Sequence, residues 1–275
     1  MNATSYLTAL GNEVKKGLRF AWSERLQILI ELPMFAAFVI LLGPLLGQGD
    51  QVVQGEVTWT LDSRTTSVMV VWFVPFTFFY MQVVKMFWRL LGEIQAGTIE
   101  QVYLSPLPTW LVAAAGRAVA AFAETVLVAA GTYGIVSAFV TIRLDWSAAA
   151  LLPLAMTMLA SIGVSLIIAG ATLVWKRIQL VNDTAMLVIM LFSASALPLI
   201  DVPGWWADTG HFLPLTDGVG GLYKALFTDE PVTAAWGMGG LVPLLATSLG
   251  YLATGILAFT LGERMAKRRG TLGRY

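Results

Sequence analysis

The run from Ala148 to Trp175, AAALLPLAMTMLASIGVSLIIAGATLVW, contains no Asp, Glu, Lys or Arg. It exceeds the ~20 apolar residues that one bilayer crossing requires, and an uncharged segment of that length has no place on the surface of a water-soluble domain. Five more apolar stretches flank it: Ile28 to Gly47, Ser67 to Val84, Trp110 to Thr141, Val181 to Ile200 and Gly239 to Leu261. The whole chain agrees, with 57% hydrophobic and 12% charged residues over 275 positions and a mean hydropathy of +0.74. A soluble domain carries about 25% charged residues. The first stretch follows an amphipathic segment and precedes no small-residue cleavage site, so it reads as a retained crossing rather than a cleaved signal.

Orientation follows from the basic residues, which concentrate on the cytoplasmic side of membrane proteins. With the N-terminus inside, the cytoplasmic segments hold Lys15, Lys16, Arg19, Arg25, Lys85, Arg89, Lys176, Arg177, Arg264, Lys267, Arg268, Arg269 and Arg274. The outer loops hold only Arg64, Arg143 and Lys224, together with the acids Asp50, Glu56, Asp62, Asp145, Asp201, Asp208, Asp217, Asp229 and Glu230. Six crossings and two cytoplasmic termini satisfy this bias. The expected fold is thus an all-α integral membrane protein, one transmembrane domain over 1–275. Residues 1–26 form its interfacial amphipathic helix, because Leu7, Leu10, Val14, Leu18 and Trp22 recur at helical spacing with Lys15, Lys16 and Arg19 off that stripe.

Several chemistries are excluded. Formal net charge is zero, which removes the basic footprint of a nucleic-acid binder. With no cysteine and one histidine, His211, cysteine- or histidine-based metal centres and thiol catalysis have no ligands. No Gly-x-x-x-x-Gly-Lys-Ser/Thr loop, His-Glu-x-x-His or Gly-x-Ser-x-Gly occurs. His211, in a loop near Trp205 and Trp206, reads as an interfacial residue rather than a catalyst. The chain is not expected to be an enzyme, and any ATP must be handled by another subunit.

The segment after the second crossing, 93–108, reads EIQAGTIEQVYLSPLP. Gly97 permits a sharp break, and Thr98 with Gln101 forms a capping box. Glu100 in the first turn suits the helix dipole, and Pro106 ends the helix after about two turns. Ile99, Val102 and Tyr103 fall on one face. Such a short helix is unstable alone and must rest on the bundle or dock into a partner.

At these positions the chain resembles the permease subunits of type-2 ATP-binding-cassette exporters. In that family an acidic residue, a Gly-Thr-apolar-Glu-Gln run and a Thr/Ser-Pro-Leu turn form a cytoplasmic element between spans 2 and 3; Glu93, Gly97, Thr98, Ile99, Glu100, Gln101, Ser105, Pro106 and Leu107 match it. A second resemblance lies before the last span, where His211 to Gly218 (HFLPLTDG) and Leu222-Tyr223-Lys224 are similar to the family's Pro-Leu-Thr segment. Two positions depart: Ile94, Gln95 and Ala96 stand where many members carry Arg or Lys, and Lys224 where Arg is common. The resemblance implies half of a membrane dimer, built with an identical or homologous second permease chain. Two copies of a separate ATPase subunit would bind ATP and Mg, and this chain none. Glu93, Gly97, Thr98, Ile99, Glu100, Gln101, Val102 and Tyr103 would couple to that ATPase. The implied location is the plasma membrane of a prokaryote, amid membrane lipid, and the implied cargo a hydrophobic or amphipathic drug, lipid or peptide. A polysaccharide or glycolipid exporter of the same broad family, and an ATP-independent carrier or channel, are the alternatives.

Inside the third span, Arg117 and Glu124 stand seven residues apart and so near one face. Intramembrane charges face the bundle interior or a wet cavity by default, which makes both substrate-pathway candidates; the alternatives are that Arg117 snorkels to the headgroups and that Glu124 is a neutralised, hydrogen-bonded structural residue rather than part of a dimer cavity. Glu31 and Asp183 read as interface anchors. The external segment 201–236 is too polar to cross, yet Trp205, Trp206, Phe212 and Leu213 are apolar and Pro203 and Pro214 break it into pieces. It is expected to form a re-entrant hairpin of two short helices, with Trp205, Trp206, Phe212 and Pro214 as outer-gate candidates. Gly43-x-x-x-Gly47 is a weak contact motif, interrupted by Pro44.

Overall fold

The computed structural model describes residues 3–46, 63–97, 107–145, 147–175, 178–199, 202–228 and 234–270. Every regular element among them is helical: α1 (Ala3–Ser23), α2 (Arg25–Leu46), α3 (Ser63–Gln95), α4 (Thr109–Ser137), α5 (Leu151–Trp175), α6 (Gln179–Ser193), α7 (Gly204–Gly210), α8 (Thr216–Phe227) and α9 (Leu241–Arg269). A 3-10 turn, Ala148–Ala150, leads into α5, and another, Ala194–Ala196, follows α6. Five helices are long and apolar enough to cross a membrane: α3, α4, α5 with its leading turn, α6 with its trailing turn, and α9. α2 covers most of the first expected crossing but is not one of these five.

The observed ends depart from the apolar runs for identifiable reasons. α3 continues from Val84 to Gln95 because its charged turns are satisfied in place: Arg89 pairs with Glu93 one turn on at 3.4 Å, and Lys85 with Glu24 at 2.8 Å. α6 stops short of Ile200 because Leu197 precedes Pro198 and takes an extended conformation, φ −99° and ψ 135°. α4 ends at Ser137 rather than Thr141. α9 outlasts its apolar run by two turns; Lys267, Arg268 and Arg269 sit in the last turn, where cations suit the dipole, and Gly270 closes the helix at φ +62°.

Burial concentrates on α3, whose most apolar window is 83% buried against 17% for α9, so α3 is the post around which the bundle is built. Its Phe73 packs edge-on to Phe35 of α2 at 5.3 Å, and Trp72 stacks beneath Phe38 at 6.0 Å. Polar pins cross the same core: the Trp72 indole donates to Ser193 of α6 (3.0 Å) and the Gln82 amide to Ser165 of α5 (2.9 Å). α5 and α9 touch backbone to backbone through Gly163 and Gly170 facing Gly255 and Gly262. Both pairs are seven residues apart, and a Cβ at any of the four would overlap main-chain atoms of the other helix. This is small-residue packing of the membrane type, while the sequence motif Gly43…Gly47 lies at the end of α2, with Gly47 outside the described residues.

Candidate functional site

The charges within the bundle gather where α1 gives way to α2. The joint is Glu24, the one residue between the two helices, and neighbouring side chains bond the surrounding carbonyls: Ser23 donates to Phe20 (2.8 Å) and Arg25 to Trp22 (3.1 Å). α1 is held against α4 by Gly17, where a Cβ would overlap the Gly116 carbonyl. That close approach brings Glu24 over two cations, Lys85 of α3 and Arg117 of α4. Lys85 Nζ lies 2.8 Å from Glu24 Oε2 and 3.2 Å from Glu124 Oε2. Arg117 Nη2 lies 2.6 Å from Glu124 Oε2, and Nη1 lies 4.0 Å from Glu24 Oε1. Two acids and two bases balance. Arg117 and Glu124 are wholly buried, Lys85 nearly so, and the Glu24 side chain is 31% exposed, which leaves it as the rim of the cluster. Arg117 Nε and Nη1 and Glu124 Oε1 have no hydrogen-bond partner.

This arrangement bears on both intramembrane charges. Arg117 does not snorkel: its guanidinium points into the bundle and none of it is exposed. Within the single chain Glu124 is wholly buried and neutralises Lys85 and Arg117, the structural alternative weighed for it. The spacing of Arg117 and Glu124 rightly put them on one side of α4, but their partners Glu24 and Lys85 are 61 positions apart and come together only through folding. One turn along α3, Arg89 stacks over the Phe20 ring at 3.8 Å, so a second contact clamps α1 to α3.

The same end of α3 and α4 carries the capping-box segment. Gly97 has φ +69° and its N–H bonds the Ile94 carbonyl, which is the sharp break expected after α3. Pro108 precedes α4, and the Thr109 hydroxyl donates to Glu263 of α9 at 3.3 Å, where Lys267 also bonds Glu263 at 2.6 Å. Glu93 is half-buried beside Arg89. Thr98, Ile99, Glu100, Gln101, Val102 and Tyr103 lie outside the described residues.

At the other end of the bundle, the segment before α9 forms the two expected short helices, α7 and α8. Trp206 stacks on Phe192 at 4.8 Å and Trp205 meets the same ring edge-on at 6.4 Å, while Phe212 is 77% exposed. Pro214 lies in the turn between the helices. His211 is more than an interfacial residue: its Nδ1 lies 2.8 Å from Asp217 Oδ1, which also accepts the Gly239 N–H at 3.3 Å. Asp217 is 1% exposed, and burial raises its pKa while the His211 and Gly239 hydrogen bonds oppose the rise. In the sequence Asp217 stands among the outer acids and within the HFLPLTDG segment, without a partner assigned; its spacing of six from His211, across a Pro-containing turn and into a helix start, was the available signal. α8 seats closely because Gly218 faces the Thr157 side chain and Gly221 faces Pro153 of α5. Between α3, α4, α5 and α8 lies a cavity of about 420 Å³, walled by Val70, Val74, Ala130, Leu151, Leu154 and Leu226.

Among the described residues no group of acids and histidine could hold a metal ion. No protein-family model and no curated protein matches the sequence.

Proposed function

We propose that the chain is the membrane-spanning permease subunit of an ATP-driven type-2 exporter. α2 is counted with the five apolar helices to give six crossings, and both termini lie in the cytoplasm of a prokaryotic cell. Two permease chains would enclose the path, with the exposed apolar faces of α6 and α9 available to lipid and to the second chain. The cargo is a hydrophobic or amphipathic compound.

The observation that carries this reading is the position of the Glu93–Pro108 segment. Its sequence resembles the coupling element of that family, and its two ends are the end of α3 and the start of α4. Those helices carry Lys85, Arg89 and Arg117, which hold the α1–α2 joint through Glu24 and Phe20. An ATPase pressing on the segment would displace α3 and α4 together and drag the joint with them, because separating Glu24 from Lys85 and Arg117 leaves uncompensated buried charge. Packed elements with few alternative arrangements transmit such displacements.

The test is reconstitution. The chain alone in vesicles should neither hydrolyse ATP nor move a hydrophobic dye against a gradient, and addition of an ATPase subunit with a phosphate loop from the same cell should confer both. Dye transport by the chain alone would place it with ATP-independent carriers instead.

A further inference from the structure

α1 has three faces. Gly17 and Ala21 are buried against the bundle. At about 100° per residue, Asn12, Lys15 and Arg19 fall on the side opposite Gly17, with Lys16 beside them. The sector between these faces holds Leu7, Val14, Leu18 and Trp22, all exposed, with Trp22 at 70%. The apolar stripe does not stop at the joint, because Leu26, Leu29 and Ile30 at the start of α2 are exposed as well. Arg25 stacks on Trp22 at 4.8 Å, which keeps a cation at the edge of that stripe.

The basic side is concave. Asn12, Lys15, Lys16, Arg19 and Phe20 wall a recess of about 360 Å³. None of the three cations is ion-paired with a described residue, whereas Lys85, Arg89 and Arg117 nearby all are. The Phe20 wall is fixed from behind by the Arg89 guanidinium. The recess therefore offers three cations without an ion-pair partner among the described residues and an amide donor, next to a continuous apolar strip. We infer that this recess binds the headgroup of an anionic phospholipid, whose phosphate lies among Lys15, Lys16 and Arg19 and whose acyl chains lie along Leu18, Trp22 and Leu26.

Charge complementarity alone would admit any anion. The adjoining apolar strip selects a ligand that is anionic at one end and hydrocarbon at the other, and the position of the strip against α2 orients the headgroup toward the cytoplasmic leaflet, where anionic lipid is found. The inference shares with the proposed function only the placement of α1 along that interface, and no ATPase enters it.

The experiment titrates the purified full chain, in a neutral detergent, with phosphatidylglycerol and with phosphatidylcholine, and counts bound lipid by native mass spectrometry. The wild-type chain should prefer phosphatidylglycerol. Each Lys or Arg at a membrane surface contributes roughly fivefold in affinity, so the triple variant Lys15→Gln, Lys16→Gln, Arg19→Gln should lose about a hundredfold of that preference. The control Arg264→Gln, Arg268→Gln, Arg269→Gln removes equal charge from the exposed end of α9 and should keep the preference. Lys15→Gln and Arg19→Gln alone, at exposed positions, should each cost about fivefold, so the reading is testable even if the triple variant folds poorly. Equal preference in wild type and in these variants would overturn the site, and so would an equal loss in the α9 control. Competition by soluble glycerol phosphate as effective as by phosphatidylglycerol would show a free-anion site and overturn the lipid assignment.

Discussion

Replacing Glu124 by Leu should be among the most damaging single changes in the bundle, and the structure says how it can be rescued. Glu124 lies 2.6 Å from Arg117 and 3.2 Å from Lys85 and is fully buried. In Glu124→Leu two buried cations share one carboxylate, Glu24, at the rim, so one positive charge is uncompensated. Breaking a buried pair in this way costs about 3–5 kcal/mol. The double variant Glu124→Leu, Arg117→Met removes one charge of each sign and leaves Lys85 paired with Glu24 at 2.8 Å. Replacement of a whole buried pair by apolar residues is near neutral or stabilising by about 1–4 kcal/mol, so the double variant should recover most of the loss. The assay is unfolding in mixed micelles followed by tryptophan fluorescence, with the coupling energy taken from the four-member cycle. A coupling above about 2 kcal/mol in the rescuing direction is expected. Additive losses, or a Glu124→Leu chain as stable as wild type, would refute the neutralising role.

Other expectations follow from separate parts of the molecule. Gly163→Val or Gly255→Val should force α5 and α9 apart and cost at least the ~1–3 kcal/mol of an overpacked core, whereas Gly250→Val, at a glycine with nothing within 4 Å of its Cβ position, should be well tolerated; thermal unfolding of the three proteins decides it. Burial raises the folded-state pKa of Asp217, so its stabilising share is complete below the unfolded carboxylate pKa, near 4, and is lost as pH rises through the folded value. The stability difference between wild type and Asp217→Asn should accordingly fall as pH rises above about 4, and a flat difference would contradict the burial argument. Since the chain lacks cysteine, Thr228→Cys should react with an impermeant thiol reagent added to intact cells and Gln179→Cys should not; labelling of Gln179→Cys from outside would contradict the six-crossing topology.

Much of the helical plan was legible because apolar run length and hairpin-breaking prolines are local signals. The run Ala148–Trp175 coincides with the 3-10 turn plus α5, and 201–236 holds two short helices, as expected. Helix ends were less legible where charge was involved: α3 and α9 run past their apolar stretches because Arg89, Glu93 and Lys267 find partners one turn away or across the bundle. The charged cluster was half legible. Arg117 and Glu124 share one side of α4 by spacing, but Lys85 counted only as one of the cytoplasmic basic residues and Glu24 had no signal of its own; the close seat of Gly17 on Gly116 brings Glu24 over the cations. The His211–Asp217 bond and the Gly163/Gly255 contact are likewise products of packing, with no periodic signature strong enough to announce them.

If the segment 93–108 docks an ATPase, as proposed, Val102→Asp should abolish the contact. On the helix expected from the sequence, Ile99, Val102 and Tyr103 would share a face, and a charge there would be buried unpaired in an ATPase groove at a cost of at least the ~2–5 kcal/mol lost on truncating a buried apolar side chain. Thr98→Ala, the loss of one cap at about 1 kcal/mol, should be milder. Affinity purification of the chain from its native membrane should bring down a phosphate-loop ATPase with wild type, less with Thr98→Ala and none with Val102→Asp, while all three insert in the membrane equally. Undiminished ATPase recovery and transport with Val102→Asp would rule out docking through this face and reduce the segment to a connector between two helices.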